Sequence, residues 1–233
     1  MTTRNNQNTP AFPWDKFIDA INKTHGIGVP APAYRDFVKL HVQAMGSEGM
    51  DWHVHTMRMA GGMVMEGYNF LSWHRRFVLK MEQRLQAIHP ELYIPYWNAV
   101  ADRAIPAALQ DKKLLQSWGV TRGKWNPNQL ASPADLVALD GIATFKTFQR
   151  VLEGAIHGGV HMAVGGDLAG ASSPSDPLFW LHHANIDRIW ATWQRTHKKA
   201  GPPNPADVLQ PLPLFGVTVA SVQNISKLGY NYA

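Results

Sequence analysis

The sequence predicts a mainly α protein with a helical bundle at its centre. Three observations carry this: stretches in which apolar residues recur every three to four positions, strand-like runs that are few and short, and histidines that fall on or beside the helix-patterned segments. Bundle interiors are where helical proteins assemble metal sites, because side chains from facing helices converge there.

In chain order, PWDKFIDAINKTHG has helical periodicity and stops at Gly26, and PAYRDFVKLHVQAMG repeats the pattern and stops at Gly46. Residues 47–68, SEGMDWHVHTMRMAGGMVMEGY, have no settled period and are rich in methionine, which predicts a long ordered loop. NFLSWHRRFVLKMEQRLQAI is the clearest helix of the first half and ends before HPELYIPYW. Residues 101–135 mix short helical pieces with the turn-rich GKWNPNQLASP, and LDGIATFKTFQRVLEGAIHGGVHM reads as helix up to its glycines. A glycine-rich loop, AVGGDLAGASSPSDP, leads into a long final helix from residue 176 to about 198. Strand signals are short, for instance LYIPYW and FGVTVASV. No repeat, linker or low-complexity segment interrupts the chain, so residues 1–233 are expected to form one domain.

Composition narrows the chemistry. A chain of 233 residues is long enough to bury roughly 70–75% of its unfolded surface without covalent staples. It contains no cysteine, so disulfides and thiolate sites are excluded and any metal is held by histidine, carboxylate or thioether. MTTRNNQNTPAFPW lacks the apolar core of a secretory signal, and no apolar run reaches the length of a membrane span, so a cytoplasmic location without a membrane partner is expected. The formal charge is +5, but basic residues are scattered and only HKK at 197–199 clusters, which argues against a nucleic-acid partner.

Eight of the eleven histidines fall into two groups, His41, His53, His55 and His74 in one half and His157, His161, His182 and His183 in the other. In HGGVH the i,i+4 spacing puts His157 and His161 on one helix face, where they can share a cation. His182 and His183 point about 100° apart on a helix, so one joins a given site while the other packs or supports it. His25, His89 and His197 each sit near a helix end, where the helix dipole favours them without any site.

The strings NFLSWHRRFVLKMEQRLQ and DPLFWLHHANIDRIWATWQ closely resemble the two copper-binding segments of the tyrosinase family, the type-3 copper oxidases that include catechol oxidases and, more distantly, molluscan haemocyanins. The likeness runs from about Tyr34 to KLGYNY at 227–232, which looks like the tyrosine motif closing that family's core domain. It implies a central four-helix bundle holding two copper ions in a dinuclear site. The second copper would be held by His157, His161 and His183, with His182 a neighbour. The first would be held by His41, His74 and a histidine that usually lies nine residues before His74, where this chain has Met65. Either a loop histidine, His53 or His55, replaces it, or Met65 coordinates through sulfur, or the site is degraded. A loop histidine is favoured, with His55 preferred over His53, because imidazole suits both copper oxidation states whereas a thioether biases the metal toward the reduced one.

The resemblance further implies O2-driven oxidation of a small phenolic substrate, o-diphenols and o-aminophenols and more weakly monophenols, to o-quinones; haemocyanin-like O2 binding without turnover is the alternative. Phe179 matches a position where an aromatic roofs the pocket, plain core packing being the other reading. Glu153 resembles a glutamate that holds a water near copper. Gly158 stands where the family places an asparagine sharing that water, and Met162 where some tyrosinases have arginine, so o-diphenols are expected to be preferred over monophenols. Asp187, four residues after His183, can orient a ligand imidazole or pair with Arg188. Many family members carry a C-terminal domain that plugs the pocket; this chain ends at Ala233, directly after KLGYNY, and is expected to be active as made.

Overall fold

Helix boundaries follow local chemistry in the computed structural model, which describes all residues except 27, 47–51, 53, 213 and 214. Helix α1 (Trp14–His25) begins after Pro13 and ends at Gly26. Helix α2 (Tyr34–Met45) begins where the Ala33 N–H donates to the Asp36 carboxylate at 2.8 Å and ends at Gly46. Helix α3 (Phe70–Gln86) is followed by the short α4 (Lys112–Ser117), capped by Asp111, and α5 (Pro133–Asp140), capped by Ser132. Helix α6 (Phe145–Val151) passes through a π-helical turn, Leu152–Gly158, into α7 (Gly159–Val164), and α8 (Leu178–Thr196) closes the helical set.

Two sequence expectations change here. The helix expected to stop at its glycines runs on through Gly154, Gly158 and Gly159, because Gly159 serves a close approach and not a break: a Cβ there would lie 2.5 Å from the Gln129 carbonyl oxygen. The strand-like LYIPYW and FGVTVASV supply only isolated bridges, Asn6 with Tyr96 and Val208 with Thr218. In the first, Ile94 gives its N–H to the Glu82 carboxylate at 2.9 Å and so offers none to a ladder; in the second, Gly216 turns the chain with a φ of 50°. Strands form instead at the two ends of the chain, where β1 (Thr2–Arg4) pairs in parallel with the last strand, Tyr230–Tyr232. The methionine-rich loop contains a small antiparallel hairpin, β2 (Met57–Arg58) with β3 (Val64–Met65), which makes the C-terminal strand β4.

Helices α3 and α8 form the centre. Every residue of α8 from Leu178 to Asp187 is buried, as is every residue of α3 from Phe70 to Arg75, the signature of helices covered on all sides. One apolar cluster, containing Phe17, Phe37, Phe77 and Trp180, packs α1 and α2 against this pair. A second, containing Phe70, Phe145, Phe148 and Trp190, packs α6 against it. No helix among the described residues is long and apolar enough to cross a membrane.

A buried ionic network welds the chain ends to this centre. Arg75 Nε donates to Asp187 Oδ1 at 2.5 Å, the Tyr230 and Tyr232 hydroxyls donate to Oδ2 at 2.6 and 2.7 Å, and Arg4 reaches the same oxygen at 3.4 Å. Arg4 also forks onto Glu82 at 2.8 and 3.1 Å. Asp187 therefore neither orients an imidazole nor pairs with Arg188, whose Nε donates to Asn185 at 3.0 Å. Burial pushes the Asp187 carboxyl up, but Arg75, Arg4 and the two hydroxyls outweigh it and hold the group below the usual carboxylate range.

Removing one partner of a buried charge network leaves the others uncompensated. Asp187→Asn is expected to cost about 3–5 kcal/mol of stability at pH 7, read from urea unfolding. In the native protein this support is present above the ordinary carboxylate pKa and is lost as pH falls through the depressed folded value, so the stability gap between the two proteins should close in strong acid.

Candidate metal centre

Helices α2, α3 and α8 and the π turn with α7 each contribute imidazole to one interior region. His41 falls on the buried stripe of α2 with Tyr34, Phe37 and Leu40; His74 lies in the covered first turns of α3; His157 and His161 flank the junction of the π turn with α7; His182 and His183 lie in the all-buried part of α8. His55 arrives from the loop before β2 and is buried.

Their hydrogen bonds fix the tautomers. His41 Nδ1 contacts the Ala171 carbonyl at 2.8 Å, His74 Nδ1 that of Phe70 at 2.8 Å, His157 Nδ1 that of Glu153 at 3.0 Å, and His161 Nδ1 that of Leu168 at 2.5 Å. A carbonyl only accepts, so Nδ1 carries the hydrogen in all four and Nε2 keeps its lone pair. His55 Nδ1 lies 3.5 Å from Glu153 Oε1, which favours the same tautomer. His183 stacks between Phe179, at 4.0 Å between ring centres, and His74, at 4.3 Å. The Nε2 atoms of His41, His55, His74, His157, His161 and His183 are all buried without a protein hydrogen-bond partner.

These rings form two groups that abut. His41, His55 and His74 make one, and His157, His161, His182 and His183 the other, with the candidate ligand atoms of each group within 4.8 Å of one another. His182 departs from its neighbours: its Nε2 donates to the His157 carbonyl at 3.2 Å, so it supports the π turn and leaves three rings in each group with Nε2 free. Burial, reinforced by neighbouring imidazoles, pulls His41, His74, His157 and His183 well below the usual histidine range, and burial brings His161 to about 4. The rings are thus neutral, the form that binds metal. Unpartnered imidazole nitrogens are costly in an interior, and a cation at each triad satisfies three at once. An all-imidazole donor set fits copper in both oxidation states.

The doubtful third ligand is met by geometry. His55 lies with His41 and His74, whereas Met65 pairs with Met57 in the hairpin. His53 lies outside the described residues. Glu153 Oε1 and Oε2 accept the Thr56 N–H and hydroxyl, both at 2.8 Å, so this carboxylate clamps the His55 loop. Phe179 is fully buried beneath His183, with its edge toward His41, and forms a floor instead of a roof. Two of the helix-end histidines, His25 and His197, each contact the carbonyl four residues earlier, although burial lowers the His25 pKa and so disfavours its charged form.

Sequence reading missed the residues that place His55. Gly67 passes so close to the His55 backbone that no Cβ fits between them. Its carbonyl accepts from Gln149 at 2.5 Å, and Asn69 donates to the Trp52 carbonyl at 3.0 Å. A single glycine before an aromatic carries no such signal, because the crossing that demands it is tertiary.

A cavity of about 210 Å³ opens over the centre, lined by His41, His55, His157, His161, Gly158 and Met162 among others. A cleft of about 720 Å³ shares His157 and Gly158 with it and runs outward between the β2–β3 hairpin and α6.

Comparison with known proteins agrees with this geometry. A sequence model of the common central domain of tyrosinase matches residues 31–136 and 121–196. The tyrosinase of Streptomyces glaucescens is 33% identical over 177 residues, covering 57% of this chain and 65% of that protein. The tyrosinase of Streptomyces galbus is 30% identical over 246 residues, covering 86% of each. Among solved structures, a functional unit of octopus hemocyanin superposes with a TM-score of 0.72 at 24% identity, covering 100% of this chain and 68% of that one.

Metal analysis after copper reconstitution tests the donor set. Two ions per chain are expected for the native protein and for Met65→Leu, and about one for His55→Ala, because a triad reduced to two imidazoles no longer retains its ion. The opposite pattern would put the Met65 thioether in the centre.

Proposed function

The chain belongs to the tyrosinase family, and from that premise we propose that it is a type-3 copper polyphenol oxidase that uses O2 to convert o-diphenols to o-quinones. The observation that carries the reading is the pair of abutting histidine triads, each with three free Nε2 atoms, at the foot of a cleft wide enough for an aromatic ring. Copper ions would be held by His41, His55 and His74 and by His157, His161 and His183, and would supply two one-electron centres for the reduction of O2. Two diphenols each give up two electrons and two protons, and one O2 leaves as two waters.

The chain's own residues prepare this chemistry. Phe70 and Phe179 pack against ligand rings from below and keep water from that side. Carbonyl acceptors at Nδ1 hold the rings of His41, His74, His157 and His161 so that they cannot rotate their donor atoms away, and His183 is held by stacking between Phe179 and His74. On the open side, Gly158 leaves the lip of the cavity without a side chain, so a substrate ring can approach His157 and His161 edge-on.

Oxygen carriage is the second reading, since the octopus hemocyanin unit shares the fold. A carrier has to admit only O2, whereas the mouth here continues into a cleft of about 720 Å³, within the range of small-molecule sites. That favours the oxidase. Addition of catechol in air separates the two: accumulating quinone marks the oxidase, and a colour that follows O2 reversibly without quinone marks the carrier.

The cleft also orders the substrates. A monophenol, with a pKa of about 10, needs a base to take its proton on the way to the metal. The carboxylate nearest the mouth, Glu153, is engaged by Thr56 and His55, and Gly158 has no group to hold a water against it. O-diphenols are therefore the faster substrates. A Cβ at position 158 meets only the Glu153 carbonyl at 3.7 Å, an ordinary contact, so the backbone there accepts a side chain. Gly158→Asn is expected to raise the monophenol-to-diphenol rate ratio about tenfold, equivalent to about 1.4 kcal/mol, within reach of one or two hydrogen bonds. An unchanged ratio would show that position 158 does not govern proton acceptance.

A further inference from the structure

The walls of the outer cleft carry a charge pattern that the histidine centre does not need. Lys146 and Arg150 stand one turn apart on α6, and Arg58 faces the same cleft from β2. Two carboxylates share the space. Glu66 accepts Lys146 Nζ at 2.6 Å and lies 3.9 Å from Arg150 Nη1, and Glu153 is occupied by Thr56 and His55. Three cations against two engaged anions leave the cleft with one excess positive charge. The Arg58 side chain has no ion pair or hydrogen bond among the described residues, and Arg150 holds Glu66 only at long range.

This surplus lies along the route from solvent to the metal centre, since the cleft shares His157 and Gly158 with the inner cavity. Arg58 and Arg150 line the cleft beyond the shared His157 and Gly158, on the side where a side chain of a diphenol seated over the inner cavity has room to extend. We infer that the cleft is a subsite for an anionic substituent, and that the preferred substrates are o-diphenols bearing a carboxylate on a short side chain. The inference rests on the oxidase reading for its chemistry, but the subsite itself is a property of the cleft. Guanidinium groups suit the part, because their paired N–H donors match the two oxygens of a carboxylate. Both arginines are solvated, so the gain is that of exposed ion pairs, a few-fold in specificity and sensitive to salt.

The test compares dihydrocaffeate with its methyl ester on the copper-loaded protein; two methylenes insulate the catechol ring from the change in charge. At low ionic strength kcat/KM for the acid should exceed that for the ester by about fivefold, mainly through KM, and the advantage should shrink with added salt. In the double variant Arg58→Gln, Arg150→Gln the acid-to-ester ratio should fall to about one. Both substrates are read on one preparation, so partial loss of folded enzyme cancels. A second readout needs no turnover: hydrocinnamate should bind the full chain, before copper loading, more tightly than hydrocinnamide, and the double variant should lose the difference. Equal kcat/KM for acid and ester in the native protein, or a preference that survives in the double variant, would overturn the inference. If neither diphenol is oxidised, the oxidase reading fails, and the hydrocinnamate comparison alone decides the subsite.

Discussion

The buried Arg75–Asp187 ion pair holds α3 against α8, and the histidine centre depends on that seam. His74 immediately precedes Arg75, and His183 lies one turn before Asp187, so the pair that ties the helices at one level brings two imidazoles face to face at the next, 4.3 Å apart. Such a pair is justified only when its remaining donors and acceptors are met. Here Arg75 also donates to the carbonyls of Val222 and Gln223 and lies 3.6 Å over the Trp190 ring, while Asp187 takes two tyrosine hydroxyls. The charges are satisfied by residues from both ends of the chain, and the imidazoles one turn away are left neutral and dry.

Neutrality alone does not make a ligand; the lone pair must also face inward. For His74 and His157 the helix itself provides the Nδ1 acceptor, the carbonyl four residues earlier. His41 and His161 take theirs from Ala171 and Leu168, in the glycine-rich segment before α8. That segment is anchored in turn. The Asp167 carboxylate accepts the Thr121 N–H at 2.7 Å, the Asp167 N–H donates to the Thr121 carbonyl at 2.8 Å, and Gly166, with a φ of 60°, passes against the Thr121 backbone where no side chain fits. What reads in the sequence as a glycine-rich loop is the scaffold that orients one ring in each triad.

This explains which parts of the molecule were legible in advance. The helices of α2, α3 and α8 follow from periodicity because burying an apolar stripe is a local pattern, and the histidines stand out because they interrupt it. The ligand on the loop was not legible. His53, His55 and Met65 share one unpatterned stretch, and the choice of His55 depends on Thr56 meeting Glu153, a contact across 97 residues of sequence. Asp187 misled for a related reason. Its spacing to Arg188 and His183 suggests partners on its own helix, yet its true partners lie at residues 4, 75, 230 and 232. Phe179 matched a motif, but the motif does not tell a floor from a roof.

The π turn at Leu152–Gly158 reconciles two demands on one stretch of chain. Phe148 before the turn and Leu152 and Ile156 within it must stay in the apolar cluster that packs on α8, while His157 at its end and His161 in α7 must turn toward the metal centre. An α-helix advances about 100° per residue, so a face set for the first task is fixed for the second unless the winding changes. The wider turn supplies that change, as π segments often do at functional sites. The His182 Nε2 then secures the result by donating to the His157 carbonyl, in the part of the turn where the backbone ladder is being handed from one winding to the other. The two glycines that follow divide the outcome: Gly159 lets the new face seat against Gln129, and Gly158 leaves the opposite side open to the cleft. The adjacent histidines of α8 thus have different occupations for one reason, since His183 can present its lone pair to the centre only while His182 holds the turn that presents the other two.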